Sequence, residues 1–159
     1  MKVGLLALAQ LAALAHWGER ASAASSSCPP AEQVSTAAGF PLTFVQSLGG
    51  GPAGWNICQY EMSGRYRGNF LMLRNQPASR ASSIYEDLKR GAKAMKGQDA
   101  EADRLDLGSG GWAYGSNSQS DAAAVVGERV YRATLDYSMA GSIGDQKEAM
   151  VRILKTIAH

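Results

Sequence analysis

Apolar and polar positions along the chain fall into short runs of period two and longer runs of period three to four, the signatures of strands and helices. The clearest helix is Pro77 to Lys96. Ala81, Ile84, Tyr85, Leu88, Ala92 and Met95 recur on one face, and Arg80, Glu86, Lys89, Arg90, Lys93 and Lys96 fill the other. Pro77 suits the first turn and Gly97 the cap after the last. The basic side chains gather toward the C-terminal end, where the helix dipole favours them. Ile143 to Ala158 is a second amphipathic run, with Met150, Ile153, Leu154 and Ile157 on its apolar face. Ser142 and Asp145 ahead of it approximate a capping box. A shorter helix lies between Pro29-Pro30 and Gly39, with Ala31, Val34 and Ala38 on one side.

Strands occupy the intervals. Leu42 to Leu48 reads as the first, and Gly49 to Gly54 as an exposed turn. Trp55 to Met62 alternates, with Trp55 and Ile57 on one face and Cys58, Tyr60 and Met62 on the other. Phe70 to Arg74 follows across a glycine-bounded hairpin loop, Ser63 to Gly68. Ala102 to Leu107 and Trp112 to Tyr114 flank Gly108-Ser-Gly-Gly111. Ala122 to Val126 and Arg129 to Tyr137 form a hairpin across Gly127-Glu128. In the last strand Tyr131, Ala133, Leu135 and Tyr137 point inward, and Arg132 and Asp136 outward. Strands joined by short glycine turns are antiparallel. The expected fold is therefore α+β: an antiparallel sheet flanked by a short N-terminal helix, a long middle helix and a C-terminal helix, in one domain over residues 24–159.

The first residues read as an export signal over residues 1–23. Lys2 is a short basic start, Val3 to Ala15 an apolar run, and Ala21-Ser22-Ala23 a cleavage site. The apolar run is too short to span a bilayer, which takes about 20 residues, and no membrane span is expected. Cys28 suggests a lipoprotein, but Ser25-Ser26-Ser27 replaces the Leu-like residue a lipobox needs. The expected location is periplasmic or secreted. There Cys28 and Cys58, the two cysteines of the chain, pair as a disulfide.

Composition removes several chemistries. The 16 basic and 14 acidic residues nearly balance, and no Lys/Arg run points to nucleic acid. Of the two histidines, His16 lies in the signal and His159 at the terminus. The expected interior has no histidine for a Ser-His-Asp or Cys-His site or for zinc or copper. Gly49-Gly-Gly51-Pro-Ala-Gly54 matches the letters of the dinucleotide fingerprint, but Pro52 interrupts it and a strand follows. Tyr85 and Lys89 match a dehydrogenase spacing without a cofactor-binding half. Asp99, Glu101, Asp103 and Asp106 lack the glycine and terminal Glu of an EF-hand, and paired carboxylates among them are the remaining catalytic option. No cofactor and no metal are expected.

Two clusters could bind a ligand. Arg65-Tyr66-Arg67 sets an aromatic between two guanidiniums on a hairpin tip, expected to be exposed with Tyr66 held away from the core. Trp112 and Tyr114 sit in a glycine-rich segment where backbone can approach a ligand; ordinary core packing is the other reading of them. Cys28 before a short helix ending in Gly39, then Cys58-Gln-Tyr60 on a strand, a long helix, Gly108-Ser-Gly110-Gly-Trp-Ala113 and a closing amphipathic helix resemble a group of small bacterial exported proteins. That resemblance implies a PsbP-like α/β/α sandwich and supplies no catalytic residues. The functional expectation is a non-catalytic binding module for an unknown protein or envelope ligand, with oligomeric state open. A histidine-independent carboxylate hydrolase and an inhibitor of a secreted enzyme are the alternatives.

Overall fold

The computed structural model describes residues 28–49, 56–96, 102–115, 119–136 and 146–158. The signal segment, Trp55, Gly97, Asp99, Glu101, Tyr137, the Ser142–Asp145 cap, most of the 49–54 glycine turn and the side chain of Met95 lie outside them.

Helix α1 spans Ala31–Ala38, capped by Pro30 before it and by Gly39, which takes the left-handed φ of 82° that a helix C-cap favours. Strands β1 (Leu42–Leu48), β2 (Ile57–Met62) and β3 (Phe70–Pro77) follow. Helix α2 spans Ala81–Lys96. Strands β4 (Asp103–Leu105), β5 (Gly110–Gly115), β6 (Gln119–Val126) and β7 (Arg129–Asp136) come next, and α3 spans Gln146–Ile157.

The seven strands form one sheet in the order β1-β2-β3-β7-β6-β5-β4, and every ladder is antiparallel. The fold is the expected α+β. Its middle helix begins later than Pro77, because Asn75, Gln76 and Pro77 extend β3 against Tyr131, Val130 and Arg129. A single 3-10 turn, Ala78–Arg80, then leads into α2. Strand β4 is shorter than expected and β5 longer.

Side-chain alternation assigns two faces. One carries Cys58, Tyr60, Met62, Leu71, Leu73, Ala122, Ala124, Ala133 and Leu135, all buried under α1 and α3 with Val34, Met150, Ile153 and Leu154. The other holds a smaller core of Tyr114, Ala123 and Val130 beneath Ile84, Leu88 and Ala92 of α2. Strand β6 is covered on both sides, and its Ala122-Ala-Ala124 run is wholly buried. Residues this small let helices on both faces approach one strand. Cys28 and Cys58 are bonded, with Cα atoms 5.7 Å apart, tying the segment before α1 to β2. The Tyr60 hydroxyl donates to the Pro29 carbonyl at 2.5 Å beside this link, and burial raises its pKa above the ordinary tyrosine value. No described helix is long and apolar enough to cross a membrane.

Candidate functional site

The expected binding residues divide. Arg65, on a one-turn 3-10 helix, Gly64–Tyr66, and Arg67, just after it, are exposed at the β2–β3 connection. Arg65 lies over the Tyr66 ring, 4.8 Å from its centroid, and Arg67 approaches Glu61 at 3.9 Å. Tyr66 itself is not held away from the core: it is half-buried and packs against the larger cluster. Its carbonyl accepts from Asn69 Nδ2 at 2.7 Å, which fixes the turn.

Trp112 and Tyr114 lie under α2. Trp112 is half-buried against Tyr85, ring centroids 5.0 Å apart, and Tyr114 is buried with its hydroxyl donating to Gln119 at 3.0 Å. Both do the work of core packing. The close backbone approach at their glycines is made to neighbouring strands. A Cβ at Gly108, which has φ +61°, would stand 2.1 Å from the Val125 carbonyl oxygen, and one at Gly111 would stand 2.8 Å from that of Ala123. Asp103 is drawn into an ion pair with Lys147 of α3, across the mouth of a groove of about 380 Å³ floored by Leu105, Ala113 and Val151.

A charged cluster absent from the expectations sits on the α2 face of the sheet. Lateral register aligns Arg74 of β3 with Arg132 of β7, and Met72 with Thr134, which in turn pairs with Asp121 of β6. Asp121 is 1% exposed. Its carboxylate accepts from Arg132 through Nε (2.9 Å) and Nη2, and from the Thr134 hydroxyl at 3.2 Å. Arg132 also reaches Asp87 of α2 at 4.0 Å, so one guanidinium joins sheet to helix. The sequence reading placed Arg132 outward, opposite Ala133 and Leu135, and it lies on that face. Its side chain is 17% exposed, because the face it occupies is covered there by α2.

Burial raises the Asp121 carboxyl above the usual carboxylate value, against the opposing pull of Arg132. Burial alone would lower Arg132, but its bond to Asp121 and that charge outweigh it and raise its pKa. Each partner's charge opposes the cost that burial imposes on the other.

Arg74 is answered only at a distance, by the charges of Asp121 and Asp136. It is half-buried, and none of the ion pairs among the described residues includes it. Its contacts are a 3.5 Å bond to the Thr134 hydroxyl and the Met72 sulfur at 3.8 Å. Burial first, then the neighbouring Arg132 charge, lowers its pKa, against the opposing pull of the Asp121 and Asp136 carboxylates. Around it the face lies beyond α2, and no described helix covers β1, β2 or β3 there. That bare strip presents Ile57, Phe70 and Met72 as half-buried apolar ground, with Gln46 and Gln59 bonded amide to amide at 2.6 Å on one flank. The arrangement is a planar cation set among apolar and amide side chains, with Glu61 and Asp136 in the adjoining row through Phe70. It can accept a carboxylate in bidentate fashion while an uncharged body lies on the strip.

The described residues bring Asp121 and Asp87 toward one arginine, not toward each other across an open cleft. Sequence reasoning missed this cluster because an arginine in an alternating strand is read as solvent-facing by default. The available signal was Asp121 itself, a carboxylate opening a run of three alanines, which a solvated strand does not favour. No family model, curated protein or solved structure matches the chain.

Proposed function

We propose that the chain is a non-catalytic, exported binding module that holds an acidic group of an envelope ligand or partner against Arg74 on the bare half of its sheet. The observation that carries this reading is the pairing of two arginines side by side with one buried carboxylate, which is committed to Arg132. A half-buried cation that Asp121 and Asp136 reach only at a distance, without an ion pair, still costs stability, and a bound anion relieves that cost. The disulfide and the amphipathic, charge-balanced chain support export. The resemblance to the PsbP-like exported group belongs to the same proposal and rests on the cysteines, glycines and element order quoted above.

The test is a titration of the ¹⁵N-labelled protein with small mono- and dicarboxylates, reading the arginine Nε–Hε signals. Saturable shifts at Arg74, lost in Arg74→Gln, are expected. Shifts at Arg65 and Arg67 alone, or none that saturate, would move the site away from the sheet. The same variant should lose the partner captured from envelope extract by the wild type. Arg65 and Arg67 then act as a second, exposed contact at the end of the strip.

A further inference from the structure

We propose that the ligand held at Arg74 is a free amino acid with an apolar side chain, its carboxylate on Arg74 and its ammonium on Asp136; this rests on the reading of Arg74 as an anion site. Strand alternation puts Phe70, Met72 and Arg74 of β3, Thr134 and Asp136 of β7 and Glu61 of β2 on one face of the sheet, opposite Leu71, Leu73, Ala133 and Leu135. Arg74 leans back along β3. Its guanidinium bonds the Thr134 hydroxyl at 3.5 Å and the Met72 sulfur at 3.8 Å, both in the row before its own. Asp136 lies in the following row, two residues beyond Thr134 and about 7 Å away by strand rise.

The neighbouring charges are matched among themselves. Arg132 holds Asp121 and reaches Asp87. Glu61 accepts from the Gly68 N–H at 3.0 Å and stands 3.9 Å from Arg67. Arg74 and Asp136 remain. They are opposite in sign and near enough for the carboxylate to act on the guanidinium, yet no ion pair among the described residues joins them. Asp136 is exposed, and half-buried Phe70 and Met72 line the same stretch of the face.

This separation of opposite charges selects the ligand. A bare carboxylate drawn to Arg74 enters the field of Asp136 and is repelled by it. An ammonium group beside that carboxylate turns the repulsion into attraction. Charge-assisted bonds of about 2.8 Å at each end use most of the span. The two charges of the ligand must therefore lie close together, as they do when one carbon carries both. The side chain on that carbon then rests on Phe70 and Met72, an apolar lining with few polar groups, as small-molecule sites have.

Leucine and N-acetylleucine share a carboxylate and an apolar side chain and differ in the ammonium. Titrated into the ¹⁵N-labelled protein and read at the Arg74 Nε–Hε signal, leucine should bind at least roughly tenfold tighter, equal to about 1.4 kcal/mol. Asp136→Asn should bring leucine to the affinity of N-acetylleucine while both still shift Arg74, and Glu61→Gln should keep the preference. Equal affinities in the wild type overturn the proposal and leave the Arg74 site standing. A preference that survives Asp136→Asn, or that Glu61→Gln removes, also overturns it. Arg74 shifts with neither compound overturn this proposal and the Arg74 reading together. Should Asp136→Asn not fold, the side-chain carboxyl carbon of Asp136 in the ¹³C-labelled wild type decides: it moves with leucine and not with N-acetylleucine if the ammonium docks there, and movement with both or with neither refutes it.

Discussion

Replacing Arg132 by Met removes the two bonds that hold Asp121, together with the approach to Asp87, and leaves a carboxylate that is 1% exposed with only the Thr134 hydroxyl. Methionine fills much of the space of the arginine stem, so the loss is electrostatic and not a cavity. Breaking a buried pair on one side costs about 3–5 kcal/mol, against a total domain stability of about 5–15 kcal/mol. The melting temperature should fall on the order of 10–20 °C for a domain of this size. Urea unfolding at neutral pH measures the cost directly. Adding Asp121→Asn should return part of it, with a non-additivity of about 1–3 kcal/mol between the two sites. The variant also predicts its own pH dependence. Burial already raises the Asp121 pKa, and the opposing pull of Arg132 is then gone. A carboxyl whose folded pKa lies above its unfolded value binds its proton more tightly in the folded state, so stability rises as pH falls through the folded pKa toward the unfolded one. The deficit of Arg132→Met should therefore shrink between pH 7 and pH 5. A loss under about 1 kcal/mol, or a deficit that stays constant on acidification, would refute the description of this pair as buried and mutually required.

Tyr60→Phe should cost about 1 kcal/mol at neutral pH through the lost bond to Pro29, and should flatten the alkaline limb. The raised pKa of Tyr60 means that wild-type stability is full below the unfolded tyrosine value near pH 10 and falls above it by about 1.4 kcal/mol per pH unit; urea melts of both proteins from pH 9 to 11 compare the slopes. Gly91→Ala, normally a gain inside a helix, should lose stability, because the added Cβ would stand 3.1 Å from the Tyr114 ring beneath α2; a higher melting temperature would show that the ring yields. Reducing the Cys28–Cys58 bond, which closes a loop of 30 residues, should lower stability by about 3–4 kcal/mol in the chain-entropy account, read by chemical denaturation with and without reductant. Tyr66→Ala should cost about 1–2 kcal/mol, more than an exposed site loses, since Tyr66 packs on the core.

What the sequence disclosed and what it hid follow from range. The helix faces of α1, α2 and α3 are written in local spacing, and Val34, Leu88 and Ile153 are buried where that spacing puts them. The alternation of Cys58, Tyr60 and Met62 names its buried face without help. The start of α2 was misplaced because Pro77 suits both a helix start and the end of an edge-to-turn strand, and only the pairing with Arg129 of β7 decides between them. The candidate site was illegible for the same reason, more strongly. Arg74, Arg132 and Asp121 lie on three strands and meet only through lateral register, and β3 and β7 are separated in sequence by α2 and three other strands. Tyr66 was misjudged because flanking glycines announce a turn but not whether its aromatic folds back onto the core.

The bare half of the sheet has a composition of its own, which separates it from a surface that merely lacks a covering helix. A helix about 10 Å across covers roughly two strands spaced about 4.8 Å apart. On the α2 face, α2 is the one described helix, and it leaves the β1–β3 side without a described covering helix. Positions in the same lateral rows change character at that boundary. Under α2 the row through Arg74 and Arg132 continues as Ala123 and Trp112, and the row through Met72 and Thr134 ends in Asp121 and Tyr114, all fitted to a dry contact. Beyond α2 the Met72 row carries Gln59 and Gln46, and the Arg74 row carries Ile57 and Leu48. A sheet face shaped to be permanently buried would be apolar throughout, and one shaped only for water would alternate to charge. This strip is neither: amides and partly covered apolar side chains surround Arg74, and the carboxylates of Glu61 and Asp136 border it in the row through Phe70.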